Sequence, residues 1–384
     1  MGANAITSCQ PEKPKSALST SFSRAKIPHA VAMWDFSWLE RRWPGAGYED
    51  WDQALDELAE RGYNAVRIDA YPHLVAENPE KEWLLDPEWG MHDWGSPAPV
   101  KVSVQPNLNT FIKKCKDRNI IVYLSTWWRN DSEKSIAKIK SPEDLAEVWI
   151  KALKTIDRDL HENIYMVDLC NEYPHAEWPK FLPPNHVETY SHEDYETWMR
   201  ASIPLVKKEF PDFNYTFSFF GDEWVKPGDK LDYLDIIEIH VWMENFSDFT
   251  ERINYQWKPF DFNDYYNMQK AETTYRSDEG YWKSKVQEGI DFAVQLSEQT
   301  GLPLITTESW GSITYKDWPG LDWGWQKEIC AFGVEQAAKT GRWISMCTSN
   351  FCGPQFKGMW RDIAWHNELT AKIKSAQILS DLYK

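Results

Sequence analysis

Positive charge and reactive motifs are both scarce in this chain. Its 42 Lys and Arg are outnumbered by 59 Asp and Glu, and the formal net charge is −17. Such a surface repels phosphate backbones, so nucleic acid is excluded as an expected partner. No apolar run approaches the ~20 residues of a membrane span, and the body of the protein is expected to be soluble. The six cysteines (Cys9, Cys115, Cys170, Cys330, Cys347, Cys352) form no Cys-x-x-Cys pair and no zinc spacing. Most read as small core residues. Cys347 and Cys352 are close enough in sequence to pair, but free thiols are the favoured reading at this chain length. No His-Glu-x-x-His, calcium loop, Gly-x-Gly-x-x-Gly, P-loop or serine elbow occurs. The expectation is therefore chemistry by carboxylates, with no cofactor and no metal.

Aromatics are abundant, at 15% of the residues with 23 Trp. Most of these serve packing in any fold, but flat apolar faces in such number also suit stacking against sugar rings. At the N-terminus, Ile6-Thr7-Ser8-Cys9 resembles a bacterial lipobox, and the Pro/Lys/Ser-rich stretch Gln10 to Arg24 reads as the tether that follows it. Residues 1–27 are thus expected to be a tail, anchored through Cys9 or simply disordered, and 28–384 one domain. The corresponding location is secreted or envelope-associated.

From residue 28 onward, apolar strand-like runs alternate with amphipathic segments. Trp51, Leu55, Leu58 and Ala59 recur at helical spacing, Arg61-Gly62 ends the helix, and Ala65 to Asp69 reads as a buried strand. The same pattern predicts eight strands, near 29–34, 64–69, 119–125, 163–169, 214–219, 234–240, 302–307 and 342–348. Helices are predicted near 49–61, 105–117, 141–156, 193–209, 280–299, 325–340 and 361–382, with only a turn between the fifth and sixth strands. Ser141 with Asp144 and Ser191 with Asp194 are the candidate helix starts. Eight strands with intervening helices fit a (β/α)₈ TIM barrel better than an open sheet, and the long insertions at 71–105, 127–140, 173–190 and 242–278 then all fall on the carboxyl face.

Two apolar runs end on glutamates, at Asn171-Glu172 after the fourth strand and at Thr307-Glu308 after the seventh. In a barrel both reach one face. Two converging carboxyls meet the needs of glycosidic bond cleavage, one protonating the leaving oxygen and the other attacking or stabilising the sugar carbon. Asp222, Glu223 and Glu244 compete for these roles, and Glu238, inside a strand, is discounted.

Over most of residues 28–370 the chain resembles the clan A glycoside hydrolases, and is similar to family 5 and related cellulase-like proteins. The motifs that carry the likeness are Leu169-Cys170-Asn171-Glu172, Thr306-Thr307-Glu308-Ser309-Trp310-Gly311, Val66-Arg67-Ile68 and His240-Val241-Trp242. Two family 5 features are missing: a His in the third strand and a Trp at the end of the eighth, Trp343 to Asn350. The resemblance implies Glu172 as acid/base and Glu308 as nucleophile, with Asn171, Arg67 and His240 beside them. A negative Glu308 within about 5 to 5.5 Å would raise the pKa of Glu172, and Arg67 would keep Glu308 ionised, unless Arg67 is a structural salt bridge. Sugar-binding candidates are the aromatic and polar clusters that follow strands: Trp34 and Asp35; Asp69 and His73; Trp127, Trp128 and Arg129; Tyr173; Trp242; Trp310; and Asn350. The expected function is a retaining glycosidase on a β-linked glycan, as in polysaccharide degradation. The alternatives are a carbohydrate-binding barrel without catalysis and, lacking its phosphate loop or Schiff-base Lys, an isomerase or aldolase barrel.

Overall fold

The computed structural model describes residues 28–88, 94–257 and 262–383. The predicted tail with Cys9 lies outside them. Eight parallel strand positions close into a ring: β1 (His29–Ala32), β2 (Ala65–Asp69), β3 (Ile121–Ser125), β4 (Ile164–Asp168), β5 in two pieces (Asn214–Thr216 and Ser218–Phe220), β6 (Ile237–His240), β7 (Leu304–Thr306) and β8 (Trp343–Cys347). β1 pairs with both β2 and β8, so the first and last strands are neighbours. The ring closes through β5, whose first piece pairs with β4 and whose second pairs with β6. The break at Phe217 lies where the Asp168 carboxylate of β4 accepts from Ser218 N–H (3.1 Å) and Ser218 Oγ (2.9 Å). A side chain there replaces a rung of the ladder. This is the (β/α)₈ barrel expected from the pattern, with nearly every strand residue buried because helices cover the outside.

The covering helices are α1 (Trp51–Glu60), α2 (Asn107–Lys116), α3 (Pro142–Lys154), α4 (His192–Glu209), α5 (Glu279–Thr300), α6 (Gly324–Thr340) and α7 (Ile363–Lys374). Their starts follow capping chemistry. Asp50 accepts from Asp52 and Gln53 N–H, Ser141 from Asp144 N–H, and Ser191 forms a reciprocal box with Asp194. Gly301 and Gly341 end α5 and α6 at φ of +72° and +70°, a conformation that costs other residues more. α7 is shorter than predicted at both ends. Asp362 caps Trp365 N–H, and beyond Ser375 the chain turns back so that Leu379 N–H reaches Gly341 O at 2.9 Å.

The carboxyl-face insertions carry structure that periodicity did not show. The first contains a short helix (Pro72–Glu77) and an antiparallel ribbon of Glu82–Leu85 with Val100–Ser103. The fourth contains short helices at Phe249–Ile253, Phe262–Met268 and Ala271–Ser277. Cys115, Cys170, Cys330, Cys347 and Cys352 are free and buried, as the favoured reading had them.

α6 packs on the loop after β7 through Gly333. A Cβ there would lie 2.5 to 2.9 Å from ring carbons of Trp310, whose Nε1–H is tied to Cys347 O at 2.9 Å. Gly333→Ala is expected to lower stability by about 1–2 kcal/mol, because overpacking outweighs the ~1 kcal/mol that Ala gains over Gly in a helix. A denaturant titration that shows an unchanged or higher midpoint would contradict this packing.

Candidate active site

Strand alternation sends Arg67 of β2, Asp168 of β4 and both Glu238 and His240 of β6 into the barrel mouth. Asn171, Glu172 and Glu308 follow just past the ends of β4 and β7. Glu172 adopts φ +46°, in the left-handed region that a residue with a Cβ seldom occupies. Its turn is held from both sides. Asn171 N–H donates to Thr126 O at 3.0 Å, Glu172 N–H to Ser218 Oγ at 2.8 Å, and Tyr173 N–H to Ser218 O at 2.8 Å. Strain of this kind persists only where the surroundings enforce it.

The guanidinium of Arg67, fully buried, is the hub. It donates to Glu308 Oε1 at 2.8 Å, to Thr307 Oγ1 at 2.6 Å and to Asn171 Oδ1, and pairs with Asp35 Oδ2 at 2.9 Å and Asp168 Oδ2 at 3.3 Å. Arg67 is therefore both a buried ion pair and the orienter of Glu308. Those two readings of it are one arrangement.

His240 links the two glutamates. Its Nδ1 lies 2.8 Å from Glu172 Oε1, and its Nε2 lies 3.5 Å from Glu238 and 4.0 Å from Glu308. Trp178 Nε1–H donates to the other Glu172 oxygen at 2.7 Å. One oxygen of Glu172, one of Glu308 and a nitrogen of His240 all lie within 4.8 Å of one another. Two carboxylates and an imidazole are donor types that metals accept. Here Glu308 is already bonded to a guanidinium and Glu172 to His240 and Trp178, so the set fits proton sharing better than coordination.

The electrostatics reverse one expectation. Burial alone would raise Glu172, but the hydrogen bond and charge of His240, with His175 beyond, outweigh it and hold this carboxyl below its ordinary value. Burial pushes Glu308 up to about 8; His240 and Arg67 oppose this, and the Glu172 charge adds to it. His240 is raised to about 10 despite its burial, because Glu308, Glu172 and Glu238 surround it. The sequence reading had the higher pKa on Glu172 and an ionised Glu308. It did not include an imidazolium bonded to Glu172, which forms only once β6 is placed beside β4.

Glu172 and Glu308 open into a cleft of about 750 Å³. Of the candidates, Trp34, Trp127 and Asn350 line it with them. Asp35 stands behind, tied to Arg67 and accepting from Trp127 Nε1 at 2.7 Å. The remaining candidates are built into the walls. Asp69 accepts from Tyr71 and Trp127 N–H, His73 bonds Arg129 O, and Arg129 pairs with Glu40 and Glu88. Trp128, Trp242 and Trp310 are fully buried, and Tyr173 O–H donates to Tyr195 O. Glu238, discounted from sequence, accepts from Thr307 Oγ1 and lies 3.9 Å from Arg67, so it positions the network. Its two-residue spacing from His240 was the available signal. Trp178, Trp94, His175 and Trp257 also line the cleft. They sit on insertions, where no local periodicity announces a direction.

The parallel eight-stranded ring is the barrel fold seen in glycoside hydrolases of family 5. The chain belongs to the cellulase-like family, described as sugar-binding cellulase-like, whose model matches residues 31–374. A candidate glycoside hydrolase from Parabacteroides distasonis ATCC 8503 has a crystal structure with TM-score 0.90 and 46% identity, covering 94% of this chain and 97% of that one. More distant are GH5_18 from Bifidobacterium longum subsp. longum ATCC 55813 (TM-score 0.53, 14% identity, 92% of this chain and 81% of that one) and the clostridial cellulose synthase subunit Z from Clostridioides difficile (0.51, 12%, 91% and 99%). These two share the fold. No protein with a curated description matches the chain.

The raised groups set a pH dependence of stability. Glu308 moves from 4.5 to about 8 and His240 from 6.5 to about 10, so the native state holds protons that the unfolded chain releases. Their contribution is complete below the ordinary values and is lost as pH rises through the folded ones. Wild type is expected to lose stability relative to Glu308→Gln between about pH 4.5 and 8. Denaturation midpoints that keep a constant difference across that range would show that Glu308 titrates normally.

Proposed function

We propose that the protein is a retaining glycoside hydrolase acting on a β-linked glycan or oligosaccharide, with Glu308 as nucleophile and Glu172 as acid/base. The observation that carries this is the approach of the two carboxyls, whose nearest oxygens fall within 4.8 Å. Retaining enzymes hold the pair about 5–5.5 Å apart, whereas inverting ones leave about 6.5–9.5 Å for a water. In the free protein the shared protons rest on His240 and Glu308. A bound sugar changes that balance: the electron-poor anomeric carbon favours ionised Glu308, and the glycosidic oxygen favours protonated Glu172. Net, Glu308 gives up a proton to cleft water and Glu172 takes one up, the two carboxyls having oxygens within 4.8 Å of each other, while His240 stays an imidazolium. A Glu308 oxygen then bonds the anomeric carbon as the Glu172 proton goes to the leaving oxygen. Water, deprotonated by Glu172, breaks the glycosyl ester and leaves Glu172 protonated and Glu308 ionised, and the proton returns to Glu308 as the product leaves.

The lipobox-like segment ahead of the barrel supports an envelope location for this activity. A carbohydrate-binding barrel without turnover is the second reading, favoured by the ionised state of Glu172 in the free protein.

Glu172→Gln and Glu308→Gln are each expected to reduce hydrolysis by several orders of magnitude with folding intact. Near-normal rates in either variant would remove the assignment, and no turnover by wild type across a panel of defined glycans would favour the binding reading. NMR of the first-formed product should show the anomeric configuration of the substrate. Inversion would refute the double displacement while leaving the carboxyl pair in place.

A further inference from the structure

From Glu172 a line of indoles runs outward. Trp178, bonded to Glu172, meets Trp127 with centroids 4.6 Å apart; Trp127 meets Trp34 at 5.7 Å, Trp34 stacks on Trp94 at 5.8 Å, and Trp94 meets Trp257 at 6.3 Å. All five line the catalytic cleft. Trp257 also lines a second groove of about 520 Å³, which shares Phe220 and Ile313 with the cleft as well. The two spaces therefore adjoin, with Trp257, Phe220 and Ile313 at their common border.

Three features mark Trp257 as more than a loop residue. It holds φ +56°, a left-handed conformation unfavourable for a bulky side chain, while leaving 37% of its surface exposed. Its neighbours are fixed from below. The buried ammonium of Lys316 sits 4.8 Å over Trp94 and 5.0 Å over Tyr255, and Tyr255 meets Trp257 edge-on at 5.3 Å. One cation thus ties the loops that carry Trp94 and Trp257. Beyond that border the wall is acidic, with Asp222, Glu223, Glu244, Asp248 and Glu251, and none of the described residues lining the groove is basic. Such a wall offers hydroxyl groups hydrogen-bond acceptors and repels carboxylates or sulfates.

We infer that the second groove binds the continuation of an uncharged glycan chain whose cleavage point lies at Glu172 and Glu308, with Trp257 as the stacking platform where the chain passes from cleft to groove. The inference rests on the glycoside hydrolase reading and names its substrate class: a chain, selected by length and by absence of charge.

The test measures binding separately from turnover. Affinities of the Glu172→Gln variant are measured for cello- and manno-oligosaccharides of two to six units, and for oligogalacturonides of the same lengths. At least a tenfold gain from the shortest to the longest member is expected in one uncharged series, with no comparable gain for the galacturonides. Adding Trp257→Ala should abolish the gain, and Trp257→Phe should restore part of it. Equal affinity at all lengths, no binding to any series, a gain that survives Trp257→Ala, or an equal gain for the galacturonides would each overturn the inference. Failure of the hydrolase reading is distinguished by wild type leaving intact an oligosaccharide that it binds.

Discussion

A fully buried guanidinium in the barrel mouth is the constraint on which the site depends. Arg67 brings a positive charge out of water, which costs several kcal/mol unless it is paired and hydrogen-bonded. The barrel meets that cost by ringing it with Asp35, Asp168, Glu238 and Glu308 from four different strands or strand ends. The pairing is reciprocal. Those carboxylates face an interior too poor in water to hold them charged without Arg67. The same guanidinium bonds Asn171 and Glu308, so the interaction that makes the polar mouth tolerable also orients the proposed nucleophile.

Around that hub the carboxylates outnumber the cations, and protons make up the difference. Asp168 is raised to about 7, chiefly by burial with the Glu238 charge adding, and Glu308 is raised to about 8. His240 stays protonated because three glutamates surround it. The outcome is a reserve of exchangeable protons, one on Glu308 itself and one on His240, which is hydrogen-bonded to Glu172. Acid/base chemistry at neutral pH draws on such a reserve, and desolvation creates it.

The aromatic excess divides along similar lines. Trp128, Trp242 and Trp310 fill space behind the site, where Trp310 packs flat on Gly333 and anchors to the backbone of β8. Trp178, Trp127, Trp34, Trp94 and Trp257 face the cleft as a connected strip. Trp34 and Trp127, which follow strands directly, line the cleft. Sequence placed Trp242 and Trp310 among the candidates on the same grounds, but these turn inward. The position after a strand determines the end of the barrel on which a side chain sits; its direction depends on the neighbouring loop.

Element order was legible in the sequence because it rests on local physics. Periods of 3.6 and 2, serine and aspartate caps, and glycines at helix ends are readable within a dozen residues, and they sufficed for eight strands, their helices and the positions of Glu172 and Glu308. The split of β5, the ribbon, the role of Glu238 and the low pKa of Glu172 were not. Each depends on groups distant in sequence brought into contact: Ser218 with Asp168, Thr307 with Glu238, His240 with Glu172. The sequence by itself put Glu172 and Glu308 at the carboxyl ends of the fourth and seventh strands. Tertiary structure alone decided which of them carries the proton, because that energy is set by burial and by charges that meet only when the ring closes.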